Sequence, residues 1–277
     1  MLDWGMDLNE VRYPLELFSI THFTILAVLW TTVILLARFI VKRFGFTKKV
    51  VWVCFVIGML CEAEKILFFI YGSYSEMFGY SYRLPATHLP FAMCPFQLFL
   101  ILALLLSQDV KKRWALLGFM YPMLVGGAGA GTVVAFAANT YHGLLELATW
   151  RYFVFHGMLV FLGYYLYWSK PIHYTIKEYG MSLVGAATAL VLAIWLNAFF
   201  AWDPHVNFLF VVRPPTQGLP FLHMYHGWLV YILRLVSLAI VIFTLCYIKV
   251  IIRDVPLLAK LIREKLARGQ VRAADGA

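Results

Sequence analysis

Residues 17–71 read LFSITHFTILAVLWTTVILLARFIV, then KRFGFTKK, then VVWVCFVIGMLCEAEKILFFIY. Two apolar runs flank one short basic turn, and each run is long enough to cross a bilayer as a helix of about 20 residues. This pattern predicts two antiparallel membrane helices joined on one side of the membrane. The first run follows an acidic segment and lacks a small-residue cleavage site, which indicates an uncleaved span.

The same pattern continues along the whole chain. The 277 residues are 62% hydrophobic and 13% charged, whereas a soluble domain carries roughly 25% charged residues. The sequence therefore predicts an all-α, polytopic membrane bundle of seven transmembrane helices over residues 1–249, followed by a basic cytoplasmic amphipathic tail over 250–277. The predicted spans are 17–41, 50–71, 89–107, 113–137, 150–168, 180–202 and 222–249.

Positive charge indicates the orientation of these spans. If the amino terminus lies outside the cytoplasm, 17 of the 23 Lys and Arg residues fall in inner connections or the tail and only four in outer connections. Lys65 and Arg234 fall within spans. Cytoplasmic loops are enriched in Lys and Arg, so we expect the amino terminus outside and the carboxyl terminus inside. The net charge of +9 then reflects membrane orientation, and we expect no nucleic-acid partner.

Two short patterns argue against familiar cofactor sites. The four cysteines all lie within spans with no CxxC spacing, which excludes an obvious disulfide framework or zinc ribbon. The stretch GGAGAG at 126–131 lacks the Lys and Ser or Thr of a phosphate-binding loop. We expect no cofactor. The small residues favour close helix packing, although a broken helix that exposes amides to a ligand is the alternative.

Polar side chains collect at one depth, roughly 6–14 Å below the outer boundary at 1.5 Å per helical residue. Ionisable groups inside a membrane usually face a cavity or a partner, so we expect an outward-opening intramembrane cavity. The alternative is that each of these residues has a structural role, because a single His or Asn in a span more often forms a hydrogen bond with a neighbouring helix. Arg234 lies deeper, with Glu62 or Glu64 as its expected counter-ion. The layer comprises His22, Glu62, Glu64, Lys65, Cys94, His156, Asn197 and His226.

Cys94 and His156 have the composition of an acyl-transfer pair. Cys94 stands at a predicted helix start, in HLPFAMCPFQ, where unpaired amides and the helix dipole favour a thiolate and can bind an oxyanion. His156, in RYFVFHGMLVF, lies at similar depth and can act as general base. In this hypothesis Glu62 or Glu64 orients His156, and Asn197 or Lys65 stabilises developing charge.

The chain resembles the family of transmembrane protein 164 and its bacterial YwaF-like relatives. Four stretches carry the resemblance: LFSITHF at His22, LPFAMC ending at Cys94, the Gly-rich span leading to FVFHG at His156, and VNFLFVVRPP, which contains Asn207. The resemblance implies a lipid-remodelling acyltransferase that acts on membrane phospholipids, with Cys94 and His156 as the catalytic pair. Relatives commonly read LPLHLC, so this chain has Ala92 where they carry a histidine.

Two other functions fit the polar layer. A transporter or binding protein for an anion or small amphiphile would use the cavity together with Arg234, and Asn207 counts with the candidate substrate-binding residues in either case. A metal hydrolase would join His22, His156 and His226 to a carboxylate, although no HExxH motif is present. The expected location is a cell membrane, specifically a bacterial inner membrane.

Overall fold

The computed structural model describes residues 18–71, 86, 89–108, 110–134, 144, 147–203, 206–214 and 221–274. These residues are all-helical, with no strand among them, as the sequence predicts. The acidic segment before the first predicted span and most of the 72–88 connection between the second and third predicted spans lie outside the described residues. The helices are α1 (Ile20–Phe44), α2 (Lys48–Tyr71), α3 (Met93–Leu106), α4 (Val110–Pro122, then a π-helical turn Met123–Gly127, then Ala128–Val134), α5 (Leu147–Ser169), α6 (Ile176–Phe199) and α7 (Trp228–Ala274), with a 3-10 turn at Phe208–Phe210.

Four helical stretches in the described part of the chain are long and apolar enough to cross a membrane. They are Ile20–Phe44, Ala115–Val133, Ile176–Phe199 and Trp228–Lys260. By contrast, α3 has 14 residues and is about 21 Å long at 1.5 Å per residue, shorter than a hydrocarbon layer of about 30 Å. A helix of this length begins below the surface if its other end reaches the opposite face.

Local signals set the helix ends. The Ser19 side chain accepts a hydrogen bond from the backbone N–H of His22 at 3.1 Å and begins α1. Gly45 ends α1 with a φ of 61°, a conformation that favours glycine. The Tyr165 hydroxyl of α5 accepts from the Thr47 N–H at 2.6 Å and donates to the Gly45 carbonyl at 3.0 Å. The turn between α1 and α2 is therefore held against α5.

The bundle is organised around α5, which packs against α1, α2 and α4. Most of α5 is buried on every side, as expected for a central helix. The α4 helix lies between α5 and α6, and α7 packs on α6 and on the π-helical turn of α4. Helix order could not be read from the sequence, and this arrangement decides which polar groups meet.

The glycines of α4 form a packing hub for four other helices. A Cβ atom at any of these positions would collide with a side chain from elsewhere in the bundle. The contacts are Gly126 with Ile242 of α7, Gly127 with Met93 of α3, Gly129 with Trp30 of α1, and Gly131 with His156 of α5. The small residues therefore allow close helix packing. At the same place, the π-helical turn interrupts the regular α-helical hydrogen bonds of α4.

The last helix crosses the predicted boundary between span and tail. α7 runs for 47 residues, through residue 250 and Pro256, to Ala274, which is about 70 Å of helix. The tail is therefore helical and continuous with the last span. Its location on the cytoplasmic leaflet stays a prediction.

Candidate functional site

Cys94 is the second residue of α3, at the end of the helix that carries free amides. The residue before the helix, Ala92, makes no side-chain capping hydrogen bond, and Pro95 has no N–H to offer. The first N–H groups of a helix have no partner within the helix, so Met93 and Cys94 direct two main-chain donors to this end. The arrangement agrees with the predicted helix start at Cys94.

Cys94 begins the buried stripe of α3. Residues three and four apart share a helix face, and the stripe continues through Gln97, Leu98, Ile101 and Leu104, which are 1%, 6%, 0% and 2% exposed. The Cys94 thiol therefore faces the bundle. Gln97 did not figure in the sequence-based site, although it is the polar member of this stripe.

The hydrogen bonds of His156 define its tautomer. Its Nδ1 lies 2.9 Å from the carbonyl oxygen of Tyr152, and because a carbonyl only accepts, Nδ1 must carry the proton. Nε2 then presents a lone pair, the form required of a general base. The Tyr152 hydroxyl donates to the Gly131 carbonyl at 2.5 Å, which joins α5 to α4 beside the imidazole.

Gly131 is the point where the two predicted catalytic side chains meet. A Cβ atom there would lie 3.2 Å from His156 Nε2 and 3.9 Å from Cys94 Sγ. The sulfur and the ring nitrogen can be no farther apart than the sum of these distances, about 7 Å. Three helices thus bring a thiol, an imidazole with a free Nε2 and a residue without a side chain to one place.

The ionisable side chains predicted on α2 form two ion pairs, one within α2 and one with α5. Lys65 Nζ contacts Glu62 at 2.5 Å within α2, and Arg151 of α5 contacts Glu64 at 2.7 Å. The hypothesis that one of these carboxylates orients His156 is wrong, because the Tyr152 carbonyl holds Nδ1. Arg151 was not among the candidate site residues predicted from the sequence, and the folded chain brings it to Glu64.

Comparison with known proteins places this arrangement in a family. The TMEM164 family model matches residues 17–247, which include Cys94, Gly131 and His156. The chain belongs to the TMEM164 family. No curated protein and no solved structure matches it. The family match and the apolar helices together identify a multi-pass membrane protein.

His22 of this TMEM164-family chain binds main-chain atoms on both sides of its ring. Nδ1 accepts from the Phe18 N–H at 3.1 Å, and Nε2 donates to the Thr132 carbonyl at 3.1 Å. The side chain is fully buried. His22 therefore fastens α1 to α4 one residue from Gly131, and the structure gives it a packing role where the sequence suggested substrate binding.

Asn197 and Asn207 hold residues 206–213 in a strained conformation. These residues are predicted to lie on the outer side and are called the outer segment. Asn197 donates to the Phe208 carbonyl at 3.0 Å and accepts from the Phe208 N–H at 2.9 Å. The Asn207 side chain accepts from the Val212 N–H at 3.1 Å. Leu209 and Phe210 have left-handed φ angles of 52° and 57°, which persist only where surrounding contacts enforce them. Both asparagines are committed to the backbone and are not placed at Cys94.

The outer segment also supports the entry to α3. The Phe91 ring lies 5.8 Å from the Phe208 ring, edge to face, and 6.4 Å from the Phe200 ring. Because Phe91 precedes Cys94 by three residues, the outer segment steadies the start of α3. The VNFLFVVRPP stretch that carries the family resemblance thus acts through packing.

His226 and Arg234 lie away from their predicted positions. His226 is exposed in the turn before Trp228, so it lies outside α7. Arg234 contacts His223 Nε2 at 2.7 Å, so the expected pairing with Glu62 or Glu64 is wrong: those carboxylates bind Lys65 and Arg151. Partial desolvation, and then the positive charges of Arg234 and His226, lower the pKa of His223 below its ordinary value. His223 therefore stays neutral near pH 7 and can accept the guanidinium N–H.

The metal-site alternative finds no support in the described residues. Among them, no group of three or more His, Cys, Asp or Glu side chains is arranged to hold a metal ion. Both nitrogens of His22 are engaged by the backbone, so its imidazole does not join His156 and His226 as a ligand.

Proposed function

We propose that this chain is a seven-span membrane acyltransferase, with its amino terminus outside the cytoplasm, that moves fatty acyl chains between phospholipids. Support for seven spans comes from the overlap of α1–α7 with the seven apolar runs.

Support for the orientation comes from the carboxyl end of α3. Lys48 Nζ donates to the Leu105 carbonyl at 3.3 Å, and Arg113 donates to the Ser107 carbonyl. The connection between α1 and α2 and the connection between α3 and α4, both expected on the cytoplasmic side, thus meet at one end of the bundle. Their cations stabilise the carboxyl terminus of α3.

The convergence of Cys94 and His156 on Gly131 carries the enzyme proposal. Acyl transfer requires a nucleophile, a base and main-chain donors for the carbonyl oxygen. Cys94, His156 Nε2 and the first amides of α3 fit these roles, and no described group occupies Nε2 or those amides. Because Gly131 has no side chain, the imidazole can lie against the α4 backbone beside the Cys94 sulfur. In this proposal the site uses one imidazole, that of His156, because Ala92 stands where the family resemblance implies another histidine.

In the first half-reaction the acyl chain moves from phospholipid to protein. His156 Nε2 takes the proton of the Cys94 thiol as the sulfur attacks the ester carbonyl. The carbon–sulfur bond forms, the ester carbon–oxygen bond breaks, and His156 gives its proton to the departing lysophospholipid oxygen. The amides at the start of α3 donate to the carbonyl oxygen while it carries negative charge.

The second half-reaction reverses these steps with a new alcohol. Nε2 removes the hydroxyl proton of an acceptor lysophospholipid, whose oxygen attacks the thioester carbonyl. The new ester carbon–oxygen bond forms, the carbon–sulfur bond breaks, and the proton returns to Cys94. Atoms and charge balance without a cofactor or a redox partner.

The ion pairs suggest where the lipid headgroup binds. Arg151 precedes His156 by five residues on α5, about 8 Å along the helix axis. Its partner Glu64 lies on α2, where Glu62 and Lys65 form a second ion pair, so the two pairs together contain two cations and two anions. A neutral cluster of both signs suits a zwitterionic headgroup. We propose a phospholipid of a bacterial inner membrane as the substrate.

Capture of the acyl-enzyme tests the function. Purified protein in nanodiscs is incubated with a diacyl phospholipid carrying one labelled chain, without acceptor, and digested for mass spectrometry. We expect the label on the peptide that contains Cys94, as a thioester released by neutral hydroxylamine. Labelled lysophospholipid added afterwards should become diacyl lipid. Protein that carries no acyl group and transfers none, under conditions where it remains folded, would refute the proposal.

Gly131→Ala tests whether the meeting point is catalytic. The added methyl group would lie 2.9 Å from His156 Cδ2, so the ring must shift, and a displacement of about 1 Å can lower a rate about 10²-fold. We expect kcat for acyl transfer to fall by about that factor. The matched control is Gly180→Ala in α6, where an added Cβ meets nothing within 4 Å and activity should be unchanged. An active Gly131→Ala protein would contradict the proposed site geometry.

A further inference from the structure

Gln97 is a buried carboxamide without a partner. It is 1% exposed, and neither its Oε1 nor its Nε2 has a hydrogen-bond partner among the described residues. Asn197, the comparable buried carboxamide, uses both of its polar atoms. An unpaired buried amide reduces stability, and such groups in native proteins call for a specific explanation. A bound ligand supplies one.

The position of Gln97 points to the ligand. It follows Cys94 by three residues on α3, so the two side chains are neighbours on one face, with Cβ atoms about 5–6 Å apart. Its other neighbours on the stripe are apolar, Leu98 and Ile101. The free amides of the first turn of α3 are at the same end. The carboxamide therefore lies beside the place where an acyl carbonyl must stand to reach Cys94.

We propose that Gln97 binds the acyl ester of the phospholipid, an inference that rests on the proposed acyltransferase function. Nε2 donates to the carbonyl oxygen, adding a side-chain donor to the main-chain donors of α3. A carboxamide is suited to this task because its nitrogen carries two donor hydrogens.

This assignment names the substrate class. A chain joined to glycerol by an ester presents a carbonyl to Nε2, whereas an ether-linked chain of the same length presents none. Gln97 should therefore distinguish ester-linked from ether-linked phospholipids, and discrimination is strong where a buried polar group would otherwise be left unpaired.

A binding experiment tests Gln97 apart from catalysis. The Cys94→Ala protein, which cannot turn over, is titrated with a diester phospholipid and with its diether analogue. We expect the diester to bind about tenfold more tightly, the equivalent of one hydrogen bond. Adding Gln97→Leu should remove this preference and leave diether binding unchanged. Equal affinity for the two lipids while Gln97 is present would overturn the proposal.

Kinetics and thermal stability provide the second test. In the otherwise native protein, Gln97→Leu should lower kcat about 10²–10³-fold, as loss of an oxyanion donor does, while KM for the diester rises by no more than about tenfold, the affinity lost in the binding test. Its melting temperature should rise or stay the same, because no hydrogen bond is lost. Asn197→Leu is the matched control and should melt lower, since it breaks the contacts with residue 208. A Gln97→Leu protein that melts lower than the native protein would assign Gln97 a structural role and overturn the proposal.

These experiments separate the two levels of inference. If the diester preference depends on Gln97 but no acyl group reaches Cys94, the ligand assignment stands and the acyltransferase mechanism fails. If acyl transfer occurs through Cys94 and Gln97→Leu has native kcat, the mechanism stands and the Gln97 assignment fails.

Discussion

Cys94→Ala is expected to lower acyl transfer from diacyl phospholipid to lysophospholipid by about 10⁴-fold or more, the scale on which loss of a nucleophile acts. Alanine removes the sulfur and leaves the helix start intact, because the side chain of Cys94 is not needed to cap α3. Lipid binding should persist, so the loss should appear in kcat. The measurement is transfer of a labelled chain in nanodiscs of defined lipid composition.

The matched control is Cys246→Ala, a second partly buried membrane cysteine. Cys246 lies against the opposite part of the glycine hub, where a Cβ at Gly126 would meet its Sγ at 3.4 Å. The Tyr121 hydroxyl donates to the main-chain carbonyl of Cys246 at 3.1 Å, and this hydrogen bond between helices survives the substitution. Activity should be native. Full acyl transfer by Cys94→Ala would end the case for a thioester intermediate.

The helices of this protein could be predicted because lipid imposes a simple requirement. Each span must satisfy its backbone internally and present apolar side chains over a fixed thickness, and both requirements can be read from one sequence. Where the chain departs from this pattern, the departure reflects the site. The shortness of α3 sets the depth of Cys94, and the glycines of α4 admit the side chains of α1, α3, α5 and α7.

The depth of a polar group is readable from sequence, but its direction around the helix axis is not. Cys94 and His156 share a depth and meet at Gly131. His22 and Asn197 lie in the same layer yet bind the backbone of neighbouring segments. Charge alone predicts a carboxylate partner for Arg234, whereas the segment that leads into α7 brings His223 to it. Pairing depends on helix order and phase, which require the folded chain.

The contacts most relevant to catalysis leave little trace in sequence. The proton on His156 Nδ1 is fixed by a main-chain carbonyl one turn earlier, a partner available to any helical residue. Gln97 differs from an ordinary polar residue of a span only because no described group satisfies it. Its three-residue spacing from Cys94 is the one signal in the sequence that could have identified it.

His156→Gln is expected to lower kcat by about 10³–10⁴-fold, the upper range for loss of a general base. Glutamine keeps a polar side chain at the site and cannot accept the thiol proton. Without Nε2, acylation must begin from the small fraction of Cys94 already present as thiolate, since the thiolate is the nucleophile. Single-turnover acylation by His156→Gln should therefore rise with pH, about tenfold per unit, whereas the native protein should show a much weaker dependence.

Coupling between the two residues separates a catalytic histidine from a structural one. The double variant with Cys94→Ala should be no less active than Cys94→Ala alone, because groups that act as a unit are not additive. His173→Ala, which changes an exposed histidine between α5 and α6, is the control and should leave the rate and its pH profile unchanged. The expectation that distinguishes a catalytic role is the pH dependence that His156→Gln acquires. A protein that only packed poorly without His156 would lose activity equally at every pH. That result would exclude the imidazole from the mechanism.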